Sequence, residues 1–76
     1  MLLYFENSDG EERPIADVST ETEVFAAIQD FINECNAKKG NAKKFEWYYT
    51  RVWETDGRKH YDVGSHTEFF HWGDKN

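Results

Sequence analysis

The sequence predicts an α+β domain of order ββαββ: a four-stranded antiparallel sheet with one helix packed across one face. Two Asp-Gly pairs, Asp9-Gly10 and Asp56-Gly57, each sit between strand-like runs, and Asp-Gly is a favoured two-residue hairpin turn. Between these hairpins, Val24, Phe25, Ile28, Phe31, Ile32 and Cys35 recur at helical spacing on one stripe. Two hairpins flanking an amphipathic helix bury both sets of apolar groups most simply when the helix crosses one face of a joint sheet.

The first hairpin is read from "LLYFENSDGEERPIADV". A two-residue turn at Asp9-Gly10 sets Glu6 opposite Arg13, Tyr4 opposite Ile15 and Leu3 opposite Ala16, which sends Leu3 and Phe5 inward. Pro14 marks the second strand as short or as an edge. The helix follows with Thr20 and Glu23 spaced as a capping box, acidic residues at its N-terminal end, and Lys38, Lys39 and Gly40 closing the other end. After the linker "NAKK" a third strand runs to Thr55, and "RKHYDVG" returns as the fourth. The run "SHTEFFHW" is apolar enough to pack as a strand extension or a short helical turn. Residues 73–76 are expected to fray.

All 76 residues make one domain, and a chain of this size buries only about 60% of its unfolded surface, so its core must be dense. An aromatic content of 17% supplies that density and excludes a disordered chain. Cys35 is the lone cysteine, which excludes an internal disulfide framework and suits a reducing, cytoplasmic setting. No apolar run approaches the roughly 20 residues of a membrane span, and no signal-peptide pattern opens the chain, so no membrane role is expected. The net charge of −6 is unevenly divided. Residues 1–34 hold nine acidic side chains against Arg13 alone, a balance of −8, whereas residues 35–76 hold six acidic against eight basic, a balance of +2.

The second turn separates the faces of the ring-rich stretch "FEWYYTRVW". Pairing Thr55 with Arg58, Trp53 with His60, Val52 with Tyr61 and Arg51 with Asp62 puts Tyr48, Thr50, Val52, Tyr61 and Val63 on one face. Phe45, Trp47, Tyr49, Arg51, Trp53, His60 and Asp62 fall on the other. Burying the Arg51 and Asp62 charges under the helix would cost several kcal/mol per ion, so the Val52 and Tyr61 face is expected inside. The candidate binding surface is then Trp47, Tyr49, Arg51, Trp53, His60 and Asp62, with His66 at its rim; Trp, Tyr and Arg dominate binding hot spots. A shifted register, or Phe69, Phe70 and Trp72 folded back over these rings, would make them core instead.

No pattern names a reaction. His60, His66, His71 and Cys35 lack the paired spacing of zinc sites, and a thiol on the apolar stripe is inert, so no metal, cofactor or catalytic residue is expected. Glu68 near His66 and His71 has no nucleophile elbow, phosphate loop or second carboxylate beside it. Lys43, Lys44, Arg58 and Lys59 beside the aromatic strand offer an alternative, single-stranded nucleic-acid binding by stacking and phosphate contact. The acidic first half offers another, mimicry of a phosphate backbone.

The run "YDVGSHTEFFHW", preceded by "YYTRVWETDGRKH", resembles small proteins without an assigned activity from phages and prophages of Gram-positive bacteria. The resemblance covers chiefly residues 48–72. It implies a phage-derived accessory protein, cytoplasmic during infection or lysogeny, that acts by binding and not as an enzyme. Its expected partner is a phage or host protein, or a second copy of itself.

Overall fold

The run "FFHWG" is the centre of the sheet. The computed structural model describes residues 1–40, 45–64 and 67–73. In chain order they form β1 (Leu2–Glu6), β2 (Glu12–Asp17), α1 (Glu21–Lys39), β3 (Arg51–Thr55), β4 (Arg58–Asp62) and β5 (Phe69–Gly73). The strands make one five-stranded antiparallel sheet in the order β2-β1-β5-β4-β3. The α+β class stands, but the expected four strands become five, because β5 inserts between the hairpins and joins them. Gly73, expected in the frayed tail, closes β5, and residues 74–76 lie outside the described residues. No helix among the described residues is long and apolar enough to cross a membrane.

Thr20 starts α1 as predicted. Its Oγ1 accepts from the Glu23 backbone N–H at 3.2 Å, and Glu23 Oε1 accepts in return from the N–H groups of Thr20 and Ser19. Such a box satisfies donors that the first turn leaves unpaired. The stripe then packs on the inner face of the sheet: Val24, Ile28, Phe31 and Ile32 join Leu3, Val18, Tyr61, Val63 and Phe70 in one buried core. Ring contacts tie the helix to three strands, Phe31 to Phe5 at 4.6 Å and to Phe70 at 5.7 Å, and Phe25 to Tyr61 at 5.6 Å. Burying each such side chain is worth roughly 1.5–3 kcal/mol.

The second hairpin has the predicted register from Thr55 with Arg58 through Arg51 with Asp62, but the pairing expected to continue to Thr50 with Val63 stops there, the Val63 carbonyl accepting instead from the Tyr48 N–H at 2.9 Å. Asp56 and Gly57 hold φ of 53° and 79°, the left-handed pair a two-residue turn requires. The first hairpin corrects the prediction. Asn7 closes a longer loop, its Oδ1 accepting from the N–H groups of Asp9 and Glu11, so that Glu6 faces Glu12 and Phe5 faces Arg13. Ile15 is then an extra residue on β2, and pairing resumes with Leu3 opposite Ala16, as predicted. The slip turns Arg13 inward over the Phe31 ring at 5.2 Å and leaves Glu12 on the outer face.

Gly73 lies against the second turn. A Cβ there would stand 2.6 Å from the Gly57 carbonyl oxygen, and φ is 128°. Gly73→Ala should therefore cost about 1–3 kcal/mol of stability. A urea melt indistinguishable from wild type would refute this reading of the contact.

Candidate functional site

Alternation along the strands puts one residue of each on a common row of the outer face, away from α1. The pairings run Pro14 to Tyr4, Tyr4 to His71, His71 to His60 and His60 to Trp53. Four of these side chains form a continuous ladder of rings across four strands. Tyr4 stacks on His71 at 5.4 Å, His71 meets His60 at 5.4 Å, and His60 stacks on Trp53 at 5.5 Å with planes 9° apart. Phe69 closes one side of Trp53 edge-on at 5.7 Å, and the Arg51 guanidinium stands 5.9 Å from its ring.

The ladder changes character from one end to the other. His71, on the central strand, is 3% exposed, and Trp53, on the edge strand, is 37% exposed. Tyr49 flanks that open end at 36% exposure, and Val52, on the other face of the same strand, is 46% exposed. The helix covers β4 and stops short of β3, so all five β3 residues are exposed on both faces.

The buried end is polar and fully paired. The Arg58 guanidinium donates to His71 Nδ1 from Nε at 3.2 Å, approaches it from Nη2 at 2.6 Å, and donates from Nη1 to the Gly73 carbonyl at 2.8 Å. Guanidinium has donors only, so Nδ1 accepts and the ring proton sits on Nε2, which donates to Glu12 Oε1 at 3.1 Å. Glu6 Oε1 lies 4.0 Å from the same nitrogen. Glu6, Glu12 and His71 place ligand atoms within 4.8 Å of one another, a spacing that would suit a cation. A metal on Nε2 would force the proton onto Nδ1, against the Arg58 donors. The geometry therefore fits a hydrogen-bonded relay better than a coordination site.

Burial lowers the His71 pKa most, with Arg58 and His60 adding to the effect and Glu12 opposing it. His60 is lowered by burial and then by Arg58, against Glu6 and Glu12. On the inner face, burial and a hydrogen bond to Glu21 push the Tyr61 hydroxyl up to about 12, although Trp72 Nε1 donates to it at 2.9 Å.

Of the predicted binding residues, Tyr49, Arg51, Trp53, His60 and Asp62 share this region and Trp47 does not. Trp47 packs toward the helix, 6.0 Å from Phe25, with Nε1 donating to Thr50 Oγ1 at 2.8 Å. Phe45 likewise packs against the core, its backbone bonded at 2.7 Å in both directions to the Asn36 side chain. Both were expected on the outer face, but residues 45–50 are not strand, so alternation does not carry through them. Tyr48 and Val52, expected inside, are exposed because β3 overhangs the helix. Asp62 is sealed at 0% exposure, accepting from the Gly64 N–H at 3.0 Å and from Tyr49 Oη at 3.4 Å. Arg51 reaches it at 3.7 Å with its own side chain 64% exposed, so Asp62 anchors the chain and Arg51 remains presentable.

The basic rim of the alternative reading divides between faces. Arg58 belongs to the outer relay, whereas Lys59 points to the helix side and pairs with Glu21 at 3.4 Å. Lys43, Lys44 and His66 lie outside the described residues. The sequence reading missed the Glu12, His71 and Arg58 relay, which depends on the β2 slip and on β5 being central; Asn7, a residue that favours side-chain-closed turns, was the available signal. No known protein family, curated protein or solved structure matches the chain.

Proposed function

We propose that the protein is a non-enzymatic binding module that engages a phage or host protein through the exposed end of the ring ladder, with Trp53 as anchor and Tyr49 and Arg51 around it. The single supporting observation is Trp53 itself, a ring held on two sides by His60 and Phe69 and yet one-third open at a sheet edge. A ring already fixed in place loses little conformational freedom on binding, which is how aromatic anchors come to dominate interfaces. The resemblance to phage and prophage proteins supports a phage-derived accessory role in the cytoplasm. Single-stranded nucleic acid is the weaker reading, because Arg58 and Lys59 are engaged on opposite faces.

Trp53→Ala should cost the isolated domain only about 1 kcal/mol, the worth of its aromatic contacts. Capture of a partner from a Gram-positive host lysate should fall tenfold or more, as expected for a hot spot. Capture unchanged by Trp53→Ala, in a variant that still melts cooperatively, would end the proposal.

A further inference from the structure

We infer that β3 is a self-recognition edge: a second copy of the chain adds its own β3 antiparallel, about a two-fold axis through Val52, to make one continuous ten-stranded sheet. The inference rests on the reading of β3 as the binding element and names one occupant for it.

The two edges of the sheet are unlike. β2 carries Pro14, which has no N–H to offer, and the Ile15 irregularity, and it belongs to the half of the chain that holds a balance of −8. These are the devices that keep an edge from pairing. β3 has no proline and no irregular step, and Arg51 and Glu54 cancel each other along it. Because the two-residue turn makes Thr55 and Arg58 a hydrogen-bonded pair, alternate residues Val52 and Glu54 turn their N–H and C=O groups outward.

Chemistry then selects the register. Keeping both helices on one side requires residues of the same face to lie opposite each other across the new pair. With the axis through Val52, Val52 meets Val52 of the second copy on the inner face. Arg51 lies opposite Trp53 of the second copy, and Trp53 opposite its Arg51, so each guanidinium covers an exposed ring. Thr50 faces Glu54. Moving the axis to Trp53 would instead set Val52 against Glu54 twice. The assembly closes at two chains, because both remaining edges are the blunted β2.

Light scattering of the native protein from micromolar to millimolar concentration should give a mass rising to twice the 9.0 kDa of one chain. Val52→Lys, which places two like charges on the axis, should remain monomeric throughout while its thermal melt at low concentration matches wild type. Val52→Cys should cross-link on mild oxidation, since a hydrogen-bonded pair sets Cα atoms about 5.5 Å apart, within disulfide reach. Wild type, with Cys35 on the helix, should not. A monomer at every concentration, a dimer insensitive to Val52→Lys, or no cross-link through Val52→Cys would each overturn the inference. A monomeric wild type that still captures a host protein through Trp53 would overturn this inference alone and leave the proposed function standing.

Discussion

Phe70→Ala should remove about 3–5 kcal/mol of stability, the cost of emptying a buried phenylalanine site. A domain of this length has roughly 4–11 kcal/mol in total at the usual 0.05–0.15 kcal/mol per residue, so the variant should be partly unfolded at moderate temperature. Phe70 is the residue at which every layer meets. It sits fully buried on β5, opposite Phe5 of β1 and Tyr61 of β4, with the Phe31 ring of α1 edge-on at 5.7 Å. Truncation would open a cavity shared by both hairpins and the helix, and close packing leaves little to collapse into it. Phe70→Leu should cost less than half as much. Urea melts of both variants decide the matter: a loss below about 1 kcal/mol for alanine would mean that β5 is not the centre of the core.

Stability should also fall as the pH drops below about 6.5. His60 and His71 both have folded-state pKa values lowered from the ordinary 6.5, chiefly by burial. Between the lowered values and 6.5 the unfolded chain binds more protons than the folded one, so acid pulls the equilibrium toward unfolding. The contribution is complete above the unfolded pKa and is lost as pH falls through the folded values. The groups facing the two imidazoles are Glu6 of β1, Glu12 of β2 and Arg58 of β4, and the two rings stand 5.4 Å apart. The first imidazolium therefore opposes the second, with Arg58 already in place. The melting temperature at about pH 5.5 should lie several degrees below that at about pH 7.5, before most carboxylates begin to titrate. Replacing both rings by His60→Gln and His71→Gln keeps a donor and an acceptor at each position and should flatten this interval. A slope that survives in the double variant would assign the effect to other groups.

Local signals carried most of what the sequence revealed. Thr20 and Glu23, the Val24 to Cys35 stripe and the Asp56-Gly57 turn each act within a few residues, and α1 and the β3 to β4 register follow directly from them. The first hairpin was less legible, because Asp9-Gly10 resembles a two-residue turn while Asn7 in fact closes the loop. That one-residue difference moved Arg13 inward and Glu12 outward. β5 was hidden for another reason: "FFHWG" gains its strand character from two neighbours distant in sequence. Trp53, His60 and Arg51 were found because their placement depends on the well-specified second turn, whereas Tyr49 lies before β3 and reaches the site through its hydroxyl contact with Asp62. Trp47 was misplaced because alternation was extended beyond the strand that justifies it, and His71 was not recognised because its partners come from three other strands, one of them in a slipped register.

The central position of β5 also bears on how the fold is reached. Each hairpin brings together residues close in the chain and can form within microseconds, yet the two hairpins share no ladder of their own. They meet only when Tyr4, Phe5 and Glu6 pair with His71, Phe70 and Phe69, across nearly the whole described length of the chain. Such a high contact order makes the last association the slow one. Pairing of β1 with β5 is therefore the step expected to limit the rate of folding, a clasp whose arrival joins the two hairpins.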